Sequence, residues 1–347
     1  MIEEKDKLIA WIEHHYGTSV CAIHELAIGW KKVYRIEQKD GQDWVMRVFP
    51  QPGYDGLPVD VQALATVLLL LEQQAYPAER VIRAIDQSSV TKQGDWQVLM
   101  TLFLDGVRQH WAPASGEFLT PGSVANDRLF EYETEMFYAL GAAVGRLHSL
   151  QPDSALPLPP AGMLPSRELT WVASLLASVA DRVPPHLQAQ YDHLTAAVQQ
   201  IDRCEALPFT LIHNDPNLDN LVLTPQGEVI LIDWESAGWG PALIDVGILL
   251  SNCFSKQLLR IRTDAVTAIV DGYCQHRHLN EAELDHLPDA VRFFRLVLLA
   301  GYFPDLINQK VGDNELLYGA TYAQWQAQYE ASAEIAALAR ERFARYL

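Results

Sequence analysis

Cysteine is scarce and so, relative to acid, are basic side chains; no apolar run approaches membrane length. Cys21, Cys204, Cys253 and Cys274 are scattered through 347 residues. Such spacing suits a reducing compartment better than a disulfide framework, so a cytoplasmic location is expected. The apolar run Val67–Leu71 is far short of the ~20 residues that cross a bilayer, and the acidic start Met1-Ile2-Glu3-Glu4-Lys5 does not open a signal peptide. No membrane association is expected. Lysine and arginine number 26 against 44 acidic residues, a formal net charge of −18, which argues against nucleic acid as a partner. The chain has no Gly-x-x-x-x-Gly-Lys-Ser/Thr loop and no Gly-x-Gly-x-x-Gly after a strand, so neither a P-loop nor a dinucleotide fold has support. His24-Glu25 lacks the second histidine of a zincin. Cys274-Gln275-His276-Arg277-His278 reads as a surface turn rather than a zinc site, because Asn280-Glu281-Ala282-Glu283 is a capping box that opens a new helix before His286.

What remains is an ordinary globular composition, 49% hydrophobic and 20% charged, long enough to bury a large core in two lobes rather than two independent domains. Charge is unevenly spread. Residues 1–104 carry 14 acidic and 10 basic side chains, residues 105–347 carry 30 and 16. An acidic second part attracts cations, although the surplus also serves solubility. Residues 1–16 read as an amphipathic helix through Leu8, Ile9, Trp11 and Ile12. Pro50–Pro58 and Gln151–Pro165 read as loops.

The most informative stretch is His213-Asn214-Asp215-Pro216-Asn217-Leu218-Asp219-Asn220, followed by Ile232-Asp233-Trp234-Glu235. Phe209–Ile212 is an apolar strand that delivers the loop. Leu221–Thr224 and Glu228–Ile232, around Pro225-Gln226-Gly227, read as a hairpin. Folding it back brings Asp233 beside Asn220, 13 positions earlier. Three oxygen-bearing side chains in this pattern suit metal-assisted phosphoryl transfer. That chemistry asks the protein to orient a hydroxyl and to hold a hard cation with few ligands, since nucleotide phosphates and water complete its shell.

At these residues the chain resembles the aminoglycoside phosphotransferase and choline kinase superfamily, small-molecule relatives of protein kinases. The resemblance covers about residues 20–255. It implies a bilobal, protein-kinase-like α+β fold, with an N-lobe (1–104) of antiparallel sheet plus one helix. The larger C-lobe (105–347) would be mainly helical, carry the catalytic hairpin, and leave ATP and Mg²⁺ between the lobes. It implies Asp215 as catalytic base, Asn220 and Asp233 as Mg²⁺ ligands, and His213 and Asp245 as braces of the loop. The segment 26–36 resembles the nucleotide-covering hairpin, in which Gly29 admits phosphate and Lys31 or Lys32 leans on it. Trp44–Phe49 would be the strand whose cation meets phosphate, here Arg47 where lysine is usual. Val98–Gly106 resembles the adenine-holding strand and hinge, with Met100 and Leu102 at the nucleotide. Leu140–His148 resembles a core helix of the family.

The ion-pair partner of Arg47 is left open. The helix expected at Val59–Gln74 carries acid only at Asp60 and Glu72, so the partner is Asp60, another contact, or none. The acceptor is expected to be a small, cationic alcohol such as an aminoglycoside, a choline-like amine or an amino sugar. A protein acceptor is disfavoured, because Asn214 stands where protein kinases carry arginine and little chain separates Asp233 from Asp245. Glu235 and Asp305 are candidate acceptor contacts, and Trp171, Trp239 and Trp325 candidates for an aromatic wall, although each type is commoner in a structural role. The alternative class is a non-catalytic, nucleotide-binding pseudokinase that acts through a protein partner.

Overall fold

The computed structural model describes residues 2–28, 31–39, 41–50, 59–108, 134–151, 158–161, 165–255, 259–308 and 322–347. Gly29 and most of both proline-rich stretches lie outside these. Two compact units form. One comprises Met1–Arg108, Pro152–Gly162 and Leu221–Ala237; the other comprises Gln109–Gln151, Met163–Asn220 and Gly238–Leu347.

The first unit begins with α1 (Ile2–Tyr16), the amphipathic helix expected from the spacing of its apolar residues. Five antiparallel strands follow: β1 (Val20–Ile28), β2 (Lys31–Gln38), β3 (Trp44–Pro50), β4 (Val90–Gln93) and β5 (Trp96–Leu102), in the order β1-β2-β3-β5-β4. Alternation along these strands sends Ile23, Ile36, Met46, Val98 and Met100 to one face, where they pack with Ile12 and Tyr16 of α1. The register sets Met46 opposite Met100 and Arg47 opposite Leu99.

Between β3 and β4 lies α2 (Val61–Gln73). Asp60 is its N-cap and accepts from the Ala63 N–H at 3.0 Å. The predicted hairpin is also found, as β8 (Leu221–Leu223) and β9 (Val229–Leu231), with Leu221 opposite Leu231 and the short strand β6 (Val107–Arg108) alongside β8. Its turn uses Gly227 at φ +83°. Behind the hairpin, the fully buried Trp234 meets Tyr76 edge-on at 5.9 Å.

The second unit is mainly helical: α3 (Thr134–His148), α4 (Pro165–Ala177), α5 (Gln188–Gln200), α6 (Ala242–Ser251), α7 (Thr263–Tyr273), α8 (Glu281–Ile307), α9 (Tyr322–Glu330) and α10 (Ser332–Phe343). Its strands come in pairs, β7 (Phe209–Ile212) with β10 (Gly238–Pro241), and β11 (Phe254–Ser255) with β12 (Arg260–Ile261). All ten residues of α6 are buried, and its sequence is apolar apart from Asp245 and Ser251. The capping box predicted at Asn280 and Glu283 is present and starts α8. Helices α3 and α7 approach closely because Gly141 and Gly145 face the carbonyl oxygens of Ile269 and Tyr273; a Cβ there would sit 2.3 and 2.4 Å from them. Among the described residues no helix is long and apolar enough to cross a membrane.

Candidate active site

The loop after β7 is held by one buried carboxylate. Asp245, in the first turn of α6, is fully buried and accepts from the backbone N–H groups of His213 at 2.8 Å and Asn214 at 2.7 Å. Those bonds clamp the two peptides immediately before Asp215. Asn214 sits in the left-handed region at φ +63°, where asparagine is tolerated better than most residues. A relay backs the clamp. His148 Nε2 lies 3.1 Å from Asp245 Oδ2, and His148 Nδ1 lies 3.0 Å from the Tyr273 hydroxyl. Arg277 Nη1 donates to that hydroxyl at 2.7 Å, and its Nη2 donates to Glu283 at 2.6 Å. Burial pulls the His148 imidazole below its ordinary value, against the opposing pull of Asp245. A neutral ring satisfies every bond: Tyr273 donates to Nδ1 and Nε2–H donates to Asp245.

Asp215 is presented by neutral amides. Asn217 Nδ2 donates to its Oδ1 at 2.7 Å and Asn220 Nδ2 to its Oδ2 at 2.9 Å; Asn220 Nδ2 also reaches the Asp215 carbonyl at 3.0 Å. With its nitrogen spent on Asp215, Asn220 has Oδ1 as the atom to offer a cation. Two further titratable groups lie within electrostatic reach of Asp215. Glu168, in the first turn of α4, is pushed up to about 8 by burial and then by Asp215. Arg295, on α8, is pulled down to about 9 by burial, which Asp215 opposes.

In the first unit, Arg47 of β3 is buried and ion-paired with Glu79, itself buried, in the segment between α2 and β4. Burial lowers the Arg47 guanidinium and the nearby Asp233 raises it, so those two side chains share one electrostatic neighbourhood. Asp233 follows β9 at φ +70°, ψ +55°, a left-handed conformation that turns the chain sharply into Trp234. The hairpin register makes Asn220 the residue before Leu221 and puts Asp233 two residues past its partner Leu231.

Residues 22–287, most of the chain, match the sequence profile of the Phosphotransferase enzyme family. The chain belongs to that family. No curated protein matches it. Among solved structures this family member resembles spectinomycin phosphotransferase in complex with ADP and spectinomycin, at 12% identity and TM-score 0.61, over 97% of this chain and 98% of that one. It also resembles an amicoumacin kinase in complex with AMP-PNP and Ca²⁺, at 16% identity and TM-score 0.57, over 92% and 97%. A third likeness is to a choline kinase from Streptococcus pneumoniae, at 14% identity and TM-score 0.56, over 96% and 99%. At these identities the likeness is one of fold, the kinase-like α+β fold expected from the motifs.

Within this phosphotransferase-family chain, the predicted site residues divide as follows. Asp215 and Asn220 are joined directly in the second unit; Arg47 and Asp233 are neighbours in the first. Lys31 opens β2, and Gly29 lies outside the described residues. Met100 is buried, and its carbonyl accepts from the Ile82 N–H at 2.9 Å, while the Leu102 N–H donates to the Arg80 carbonyl at 2.8 Å. Those main-chain groups are spent within the first unit.

Asp60, considered as a partner for Arg47, instead caps α2. Trp325 is buried against Tyr302 at 4.7 Å, while Trp171 and Trp239 are exposed on separate elements. Glu79, Glu168 and Arg295 were not singled out from sequence. Glu79 follows Pro77 in a segment with no periodicity, and Glu168 and Arg295 read as ordinary helix residues; only a carboxylate in the first turn of a helix and a basic residue in an apolar run mark them.

Proposed function

We propose that the chain is a small-molecule O-phosphotransferase that moves the γ-phosphoryl group of ATP to a hydroxyl of a small, cationic acceptor in the cytoplasm. The observation that carries this reading is the presentation of Asp215, clamped from behind by Asp245 and oriented by Asn217 and Asn220. Asp215 takes the acceptor's hydroxyl proton as the acceptor oxygen bonds to the γ-phosphorus and the bond to the β-phosphate oxygen breaks, releasing ADP.

The donor set suits Mg²⁺. Asn220 Oδ1 and the Asp233 carboxylate are hard oxygen donors, and two such ligands suffice when nucleotide phosphates and water complete the shell. Among the described residues no cluster of three His, Cys, Asp or Glu side chains is placed to hold a metal, in keeping with an ion that arrives with its nucleotide. Bound there, Mg²⁺ would neutralise phosphate charge. Arg47, oriented by Glu79, would engage phosphate oxygens through its planar fork. Lys31, at the start of β2, would lean on phosphate, and Met100 and Leu102 would shape the adenine side through β5. The pseudokinase alternative draws on arginine standing at position 47 where lysine is usual and on the lack of a glutamate in the neighbouring helix; Glu79 gives Arg47 a carboxylate partner from outside that helix.

The test uses ADP release and nucleotide binding side by side. Asp215→Asn should lower transfer by about 10²- to 10⁴-fold while Mg-nucleotide affinity changes little; Asp233→Ala should weaken Mg²⁺-dependent nucleotide binding. Undiminished transfer by Asp215→Asn refutes the assignment.

A further inference from the structure

Asp245 meets three nitrogens: the backbone N–H groups of His213 and Asn214 on the loop side, and His148 Nε2 at 3.1 Å from behind. The side chains of His148 and Asp245 are closed to solvent. A carboxylate in the first turn of α6 would hold the two peptides by itself. The chain nevertheless commits Tyr273, Arg277 and Glu283 to the same cluster, and a buried polar cluster of this size adds less stability than well-packed apolar side chains. The direction of its hydrogen bonds indicates what it supplies instead.

A guanidinium can only donate and an ionised carboxylate can only accept. Arg277, in the turn between α7 and α8, therefore donates through Nη1 to the Tyr273 oxygen at 2.7 Å. The hydrogen of that hydroxyl is left for His148 Nδ1, 3.0 Å away; among the described residues the hydroxyl makes no further hydrogen bond. Burial pushes the Tyr273 hydroxyl above its ordinary value, so it keeps its proton. With Nδ1 as acceptor, the neutral ring carries its hydrogen on Nε2, because the bond made by one ring nitrogen sets the state of the other. Nε2–H then donates to Asp245. Arg277 is itself fixed: Nη2 donates to Glu283 Oε1 at 2.6 Å, and Glu283 Oε2 accepts from the Asn280 N–H at 3.0 Å within the capping box of α8. The Tyr273 ring is held edge-on by Phe343 at 6.0 Å and His148 at 5.7 Å. All these residues belong to the second unit, as do Asp215 and Asn220.

Building on the phosphotransferase reading, we propose that Tyr273 and Arg277 are positioning residues for the transfer: they fix the Nε2–H tautomer of His148, which holds Asp245 in the orientation that clamps both peptides before Asp215. Neither touches the reacting atoms. Without the Tyr273 hydroxyl the ring is free to carry its hydrogen on Nδ1, and a bare Nε2 lone pair then faces the carboxylate across 3.1 Å. Two acceptors repel, Asp245 turns, and Asn214 loses the bond that keeps it at φ +63°. Asp215 shifts with its neighbour. Small displacements of a group that must meet a hydroxyl cost rate rather than nucleotide affinity.

The experiment is ADP release by the full chain with Mg-ATP and choline, ethanolamine or an aminoglycoside, using whichever is turned over fastest, or water as acceptor where none is used. Tyr273→Phe keeps the ring and removes only the hydroxyl. It should lower kcat about tenfold or more while KM for Mg-ATP stays within about twofold. Hydrogen exchange at the His213 and Asn214 amides should quicken in the same variant. The route is read by a double-mutant cycle. The amide nitrogen of His148→Gln still reaches Asp245 but needs nothing from Tyr273, so on that background Tyr273→Phe should change kcat by less than about twofold. Arg277→Met, which lets the hydroxyl turn, should lower kcat, and Arg277→Lys, which keeps a donor, should recover part of the loss. Arg277 is partly exposed, so its variants carry the test if Tyr273→Phe fails to fold.

A lower melting midpoint with unchanged kcat in Tyr273→Phe overturns the inference, since the cluster would then be structural alone. So does an equal loss of kcat from Tyr273→Phe with histidine or glutamine at position 148, which would take His148 out of the route. Arg277→Lys no better than Arg277→Met removes Arg277 from it. Each of these leaves the phosphotransferase reading intact. An unmodified chain that neither transfers phosphate nor hydrolyses Mg-ATP strikes that broader reading, and this one with it.

Discussion

Two residues that are not glycine, Asn214 and Asp233, adopt left-handed backbone just before and at proposed site residues. Each costs on the order of 1 kcal/mol and persists only because neighbours over-determine it: Asp245 holds Asn214, and buried Trp234 anchors the turn after Asp233. The Arg47–Glu79 pair follows a related logic. Both partners are buried, so removing one strands the other's charge. Glu79→Ala should cost about 3–5 kcal/mol of stability, read by denaturant unfolding, and should also raise KM for Mg-ATP; a loss within 1 kcal/mol would mean that water already screens the pair. His148 provides a pH signature. Its folded value lies below the unfolded 6.5, so the unfolded chain binds more protons between the two. The stability this neutral ring contributes is complete above pH 6.5 and is lost as pH falls from there toward the folded value. Thermal midpoints of the wild type should therefore drop more steeply below pH 6.5 than those of His148→Gln, whose amide does not titrate in this range. Parallel curves would show that the ring is already charged in the folded state.

At the scale of elements, the loop that carries Asp215 depends on helices remote from it in sequence. Helix α3 supplies His148, α7 supplies Tyr273, and the start of α8 supplies Glu283, so the register of α3 against α7 sets how Asp245 is held. That register relies on glycine. Gly145→Ala would place a Cβ 2.4 Å from the Tyr273 carbonyl oxygen, a backbone atom that cannot swing aside. Overpacking of this kind costs about 1–3 kcal/mol, and because the displaced residue bonds His148, kcat should fall along with the melting midpoint. A fall in stability with unchanged kcat would detach the helix pair from the loop. The same helix surface could be read from the amphipathic spacing of Leu140, Val144 and Leu147; the need for close approach could not, because a helical glycine carries no mark of what faces it.

At the scale of the whole molecule, the acidic surplus is the feature to test. Residues 105–347 hold 30 of the 44 acidic side chains, and a field of that sign should speed the arrival of a positively charged acceptor. Between about 10 mM and 150 mM ionic strength the screening length shrinks from about 30 Å to about 8 Å. For a singly charged amine, kcat/KM should therefore fall severalfold over that range while kcat holds. A flat response would assign the surplus to solubility alone.

What the amino-acid order determined by itself is local. The distances along the chain from Asp215 to Asn220 and Asp233, the strand before the loop, the hairpin after it, the capping box at Asn280 and the apolar faces of α1 and α3 all follow from spacing, turn chemistry and periodicity, which act between near neighbours. Tertiary structure decided the rest. Glu79 rather than Asp60 pairs with Arg47, Met100 and Leu102 spend main-chain groups on residues 80–82, and Glu168 and Arg295 come within reach of Asp215 from helices more than a hundred residues apart. Those pairings depend on which buried charge finds a partner once the core has closed, a condition that desolvation imposes in three dimensions and no short-range pattern records.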